Sequence, residues 1–385
     1  MASGGGWMAA LMDIPSLPGL GPAQLLPRTG VAASFPFNRF GLELTYLGRN
    51  AVWRAARMLG LEGGEVIVPA YHHGVEVSAL LHAGARIQFA RVDGEGRLDV
   101  EHVRACVSPH TRAIYVIHYA GFPQPLDALV EIARECGALL IEDCALSLFS
   151  SDGERPLGSL GDASIFCFYK TLPVPHGGGL FMRKATTAGL APPAMPPLLP
   201  ALSHLAGSML VASERRFPSA GRWVRTGVKA VTRHIREWAR DEDIPVGTQE
   251  LDPAVLHLGM SPMAARLLET VDAEQVVQRR RDNWFLLHEW IGRPGQTVWS
   301  SLPPGVCPLF YALEVDDKDL TLRRLWSRGI HAVDFWRYGH PSVPRDCFPE
   351  VEALRRRVVE LPCHQDLGRE ELERMARVVW EVLET

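Results

Sequence analysis

Ala138-Leu139-Leu140-Ile141-Glu142-Asp143 opens the stretch on which the fold turns, and Phe166-Cys167-Phe168-Tyr169-Lys170-Thr171-Leu172-Pro173-Val174-Pro175-His176-Gly177-Gly178-Gly179 closes it. A short apolar run bounded by turn signals is the pattern of a strand buried on both faces of a parallel sheet. In an open α/β sheet, ligands settle beyond the carboxyl ends of such strands. Asp143 stands at that end and is expected to face a pocket.

A carboxylate at a strand end, followed by a lysine between aromatic residues and a glycine turn, supplies the two groups that pyridoxal phosphate requires. The carboxylate keeps the pyridine nitrogen protonated, so the ring accepts electrons, and the lysine amine links to the aldehyde carbon. Asp143 and Lys170 are the candidates. Taken singly, a turn-capping Asp143 and a surface Lys170 are the plainer readings; taken together, they favour the cofactor.

These residues resemble a known family, the DegT/DnrJ/StrS-type sugar aminotransferases of the fold type I pyridoxal phosphate enzymes, from about Leu47 to the C-terminus. Ile141-Glu142-Asp143-Cys144-Ala145 is similar to the family's strand ending in the pyridine-binding aspartate, and Gly158-Ser159-Leu160-Gly161-Asp162 to its following turn. Lys170 precedes Gly177 by the seven residues that separate the family's cofactor-linking lysine from its glycine pair. The resemblance also implies that Gly48, Arg49, Asn50 and Ala51 bind the cofactor phosphate. It puts His73 at the position that stacks on the pyridine ring, and His118 at a strand end where substrate contact and a bond to a neighbouring loop are equal alternatives. The chain departs from the pattern in four places. The segment between Phe168 and Lys170 is shorter, Cys167 replaces a phosphate-binding serine, and Leu146 replaces a Gln or His beside the cofactor's phenolic oxygen. Gly259-Met260-Ser261-Pro262-Met263 stands near the usual Tyr, Asn and Arg turn that completes a neighbouring subunit's site.

A chain of 385 residues suggests two or three domain-sized units, since domains commonly hold roughly 100 to 200 residues. With 47% hydrophobic and 22% charged residues and a formal charge of -4, it reads as an ordinary soluble globular protein. Nothing in that balance calls for nucleic acid. The seven cysteines form no Cys-x-x-Cys pair, so neither a disulfide framework nor a zinc site is indicated, and no metal is expected. A reducing cytoplasm is the simplest compartment. The first six residues lack the features of a signal peptide, and no apolar run of about 18 residues predicts a membrane-spanning helix.

In chain order, residues 1–44 read as an irregular arm. Val52, Ala55, Ala56 and Leu59 recur at helical spacing after Gly48, with Asn50 a candidate cap; a helix N-terminus there suits a phosphate. Strands at 65–69, 86–89, 113–118 and 138–142 alternate with helices at 75–82, 100–107 and 126–136. Such alternation predicts right-handed βαβ units and a mainly parallel sheet. Residues 191–200 hold five prolines, and residues 213–240 hold eight Lys or Arg against two Glu. The latter predict a basic amphipathic helix, packed on its own domain, lying on an anionic membrane surface or meeting an acidic partner. A long helix is expected over 264–291, then strands at 309–315, 330–335 and 358–361 with helices at 319–328 and from Glu370. The fold class expected is α/β, pyridoxal phosphate fold type I, with a smaller C-terminal α+β domain. Its divisions are an arm at 1–44, a large domain at 45–260 with an insert at about 190–245, and a linking helix and small domain at 261–385.

The resemblance implies amino transfer from an amino acid such as glutamate to a keto sugar, nucleotide-linked as is usual in the family, in a homodimer. Two alternatives stand beside it: a sugar dehydratase of the same fold, against which Lys170 argues, and a non-catalytic member acting as a binding or assembly protein.

Overall fold

The computed structural model describes residues 13–20, 33–184, 190–197, 250–293 and 295–384. Its centre is a seven-stranded sheet. In chain order its strands are β1 (Glu43–Thr45), β2 (Glu65–Pro69), β3 (Arg86–Ala90), β4 (Thr111–Ile117), β5 (Leu139–Cys144), β8 (Ala163–Cys167) and β9 (Gly178–Met182). The spatial order is β1-β9-β8-β5-β4-β2-β3. The run β8-β5-β4-β2-β3 is parallel, while β9 pairs antiparallel with β8 and with β1. Between β5 and β8, the two-residue strands β6 (Ser151–Asp152) and β7 (Arg155–Pro156) pair with each other.

The crossovers of the parallel strands are α1 (Gly48–Met58), α2 (Val75–His82), α3 (Val100–Cys106) and α4 (Leu126–Cys136). Strands buried on both faces need apolar residues at nearly every position, which is why Ala113 to Ile117 and Leu140 to Ile141 read as uninterrupted runs. The α/β class and the mainly parallel sheet agree with expectation.

The C-terminal part is a three-stranded antiparallel sheet, β10-β12-β11, made of β10 (Phe310–Glu314), β11 (Val333–Asp334) and β12 (Val358–Pro362). Helices α5 (Pro262–Leu268) and α6 (Ala273–Ile291) precede it, and α7 (Lys318–Ser327), α8 (Pro349–Arg357) and α9 (Arg369–Leu383) accompany it. Helix α9 packs on α6 and α7.

Several expectations need correction. The single helix over 264–291 is two, because Asp272 accepts a hydrogen bond from Gln275 N at 3.0 Å and starts a second helix; a side-chain oxygen that satisfies a free N–H favours a new start. Asn50 is not a cap: Leu47 holds that position, and the Asn50 amide donates to Val255 O at 2.6 Å. The strand over 330–335 is only two residues long, and α8 was not foreseen. The supposed arm carries structure, since Ile14 N donates to Gly329 O at 2.7 Å in a bridge to the C-terminal part. The basic segment at 213–240 lies outside the described residues.

Candidate active site

Three neighbouring features of the sheet converge on one cavity. Strand β5 ends in Asp143, β8 runs into a single 3-10 turn, Phe168–Lys170, that ends in Lys170, and the N-terminus of α1 lies beside them. The cavity wall includes Gly48, Arg49, His73, Asp143, Cys167 and Lys170, so six of the expected site residues are brought together. Asn50 and Ala51 are not on that wall; both are buried, Asn50 against the 255–258 turn. His118 is also away from it. Its Nε2 lies 3.2 Å from Glu142 Oε2, and its Nδ1 accepts from Gln124 N at 3.2 Å. Of the two alternatives for His118, these contacts match the bond to a neighbouring loop.

Alternation along β5 explains why only one of its two carboxylates reaches the cavity. Glu142 turns to the other face and accepts from the N–H groups of Gly158, Leu160 and Gly161 at 2.9, 2.8 and 2.5 Å. Burial alone would raise its pKa, but His118 and those N–H groups hold it below the ordinary carboxylate value. Although His118, Glu142 and Cys144 are close enough to be considered as cation ligands, the Glu142 oxygens are committed to holding the 158–161 turn.

Asp143 is fully enclosed. Its Oδ2 accepts from the Tyr115 hydroxyl at 2.6 Å and its Oδ1 from Ala145 N at 2.8 Å. Burial pushes its pKa up, while the bonds from Tyr115 and Ala145 and the charge of Lys170 pull the other way. A carboxylate oriented by two donors and short of solvent gains most from a cation placed against it. Lys170 is set by its neighbour: Thr171 O accepts from Arg280 Nη2 at 3.1 Å and Gln365 Nε2 at 3.0 Å.

Glycines allow β9 to approach α1. A Cβ at Gly178 would lie 2.5 Å from the Leu47 carbonyl, so the triple glycine is a close-packing requirement as well as a turn. His73 forms another wall, and burial, with the nearby charges of Lys170 and Arg49, lowers its pKa to about 3. The ring is thus a neutral imidazole, suited to lie against another ring. Cys167 is buried, with its thiol pKa raised by burial and partly offset by Lys170.

Sequence reasoning missed four residues of the wall or its support. Tyr115 orients Asp143. Glu76 lines the cavity and accepts from His73 N at 2.7 Å; burial and the charge of Asp143 push its pKa up to about 7. A single glutamate in the apolar run Val75 to Leu81 was its available signal. Tyr169 lies beside Lys170, and Trp336 comes from beyond β11, where no sequence signal ties it to the site.

Residues 48–188 match the DegT/DnrJ/EryC1/StrS aminotransferase family. Through that segment, the chain is similar to this family. The spore coat polysaccharide biosynthesis protein SpsC of Bacillus subtilis is 32% identical over 132 residues, 34% of either chain. A similar stretch of GDP-perosamine synthase from Vibrio cholerae is 31% identical, so the alignment spans about a third of these relatives' length, 34% and 36%. UDP-N-acetyl-3-dehydro-alpha-D-glucosamine 3-aminotransferase of Acidithiobacillus ferrooxidans is 23% identical over 344 residues, 86% of this chain and 81% of its own. Among solved structures, the putative sugar aminotransferase Spr1654 from Streptococcus pneumoniae in its PLP form superposes with a TM-score of 0.68. That match is 17% identical and covers 97% of this chain and 99% of the other. At this identity the likeness concerns the fold alone.

Proposed function

We propose that the protein is a pyridoxal-phosphate-dependent aminotransferase that moves an amino group from an amino acid, such as glutamate, to a keto sugar linked to a nucleotide. The observation that carries this reading is the meeting of Asp143 and Lys170 in one cavity at the ends of adjacent strands β5 and β8. The names of the family's relatives support the sugar.

The residues present fit the cofactor. Asp143 is an enclosed acceptor whose pKa, raised by burial, a pyridinium would bring back down. Neutral His73 offers a ring face, and the N-terminus of α1, with Arg49 next to it, offers positive potential for a phosphate. Cys167, packed against Gly48, is the weaker partner there, because a thiol is only a weak hydrogen-bond donor.

When bound, pyridoxal phosphate supplies an aldehyde carbon and an electron-accepting ring. Lys170 would hold the cofactor through its amine and, when free, would move a proton at the substrate carbon. Asp143 would hold the proton of the ring nitrogen. The apolar side chains of Val52, Ile117 and Ile165 in the same wall would limit water around Lys170, which protects the proton being moved.

The experiment is chemical labelling. After borohydride treatment of the cofactor-loaded protein, digestion should yield one pyridoxyl-labelled peptide, the one containing Lys170; a label on another lysine would overturn the assignment. The assembly we propose is a homodimer, since fold type I sites commonly lie at a subunit boundary. Light scattering that reports a fully active monomer would count against it.

A further inference from the structure

One wall of the cavity comes from the C-terminal part and is built around a residue in an unusual backbone conformation. Trp336 has φ +42°, in the left-handed region that a bulky residue adopts only when its surroundings impose it. Those surroundings are specific. The Trp336 carbonyl accepts from Arg355 Nη1 at 2.6 Å. The same guanidinium donates through Nη2 to Ala70 O at 3.2 Å and His72 O at 3.0 Å, in the loop that carries His73. Buried Lys318 donates to Phe335 O and Arg355 O, both at 2.9 Å.

The indole is fixed as firmly as its backbone. It stacks on Phe335, with centroids 4.6 Å apart and planes at 27°. It meets Tyr71, Tyr119 and His73 edge-on at 5.4, 5.5 and 6.3 Å. Close approach is built in: Gly74 has φ +114°, and a Cβ there would lie 3.1 Å from His340 N, four residues past Trp336. Trp336, though only 8% exposed, is also among the residues that line the cavity holding Lys170 and Asp143.

A side chain held by other rings and by its backbone bonds, and lining a reaction cavity, is arranged as part of a preorganised binding wall. We propose that Trp336 contacts the acceptor sugar and helps determine which acceptor the protein takes. An amino acid donor needs a cationic partner for its carboxylate, and an indole provides none. A sugar ring presents an apolar C–H face that an aromatic plane can cover, while the indole N–H can donate to a hydroxyl. The proposal rests on the aminotransferase reading of this cavity.

The test uses the cofactor-loaded full chain and the variants Trp336→Ala, Trp336→Leu and Trp336→Phe. Glutamate is the donor, and UDP-, GDP- and dTDP-linked keto sugars are the acceptors. Trp336→Ala should raise the acceptor KM about tenfold with a smaller change in kcat, and Trp336→Phe should restore most of the loss. Calorimetry with the corresponding amino-sugar product should show the same fall in affinity, and an absorbance titration should show cofactor affinity unchanged. Should Trp336→Ala not fold, the contrast of Leu with Phe carries the test, because only Phe keeps a ring. Unchanged acceptor KM, Leu equal to Phe, or a loss confined to cofactor affinity would each overturn the proposal. A wild type that binds no cofactor and transfers no amine would instead remove the underlying reading and this proposal with it. A working wild type indifferent to Trp336 removes the proposal alone.

Discussion

Asp143 and Trp336 face one cavity, yet they are held there by different kinds of structure. Asp143 sits in a regular strand, its direction fixed by alternation, with one donor from the adjacent strand and one two residues ahead. Trp336 has a left-handed backbone, and its support comes from Arg355, Lys318 and an aromatic cluster drawn from several elements. The difference separates chemistry from shape. On the sheet side, local geometry offers a charge to the cavity. On the C-terminal side, long-range packing positions a surface.

If that division is correct, substitutions on the two sides will fail in different ways. Asp143→Asn should lower turnover about a thousandfold, because an amide cannot hold a pyridinium charge in an enclosed site. Its urea midpoint should stay near wild type, since burial disfavours the Asp143 charge in the folded chain. Near-normal turnover would break the comparison on the sheet side.

Arg355→Met should show the opposite balance. It leaves the carbonyls of Trp336, Ala70 and His72 without their donor, a loss of about 4 kcal/mol in unfolding free energy. Urea titration is the measurement, and an unchanged midpoint would mean that the two walls are not tied together by this guanidinium.

Glu76 offers the smallest effect and a finer distinction, because it lies on the sheet side but is not explained by the regular strands. Its folded pKa of about 7 exceeds the ordinary 4.5, so between those values the folded state holds a proton that the unfolded state has released. Its contribution to stability is therefore present below about pH 4.5, declines as pH rises, and is lost above about pH 7. In the cofactor-free protein, Glu76→Gln should reduce the fall in unfolding free energy across that window by about 3 kcal/mol. Parallel pH profiles for wild type and variant would show that Glu76 does not titrate there.

Pattern made the parallel sheet and half of the cavity legible. The apolar runs of β4 and β5, the helical spacing after Gly48 and the distance from Lys170 to Gly177 are local features, and each corresponds to a local piece of geometry. The errors came where a local signal competed with another partner. Asn50 resembles a helix cap, but its amide is taken by Val255 O. The run over 264–291 resembles one helix, but Asp272 caps a second.

The sequence by itself determined the α/β class, the strand that ends in Asp143 and the lysine before the glycine turn, because period, strand-end position and spacing follow from backbone geometry. Only the tertiary structure decided that Glu142 accepts from the 158–161 turn and that Tyr115 stands behind Asp143. It alone brought Trp336 to the cavity that Asp143 lines. Those outcomes depend on donors and rings from distant positions, such as Arg355 against Ala70, whose meeting leaves no periodic trace along the chain. The physical reason is range: periodicity records what a residue's neighbours in sequence require, whereas a cavity wall is fixed by groups that become neighbours only when the chain has folded.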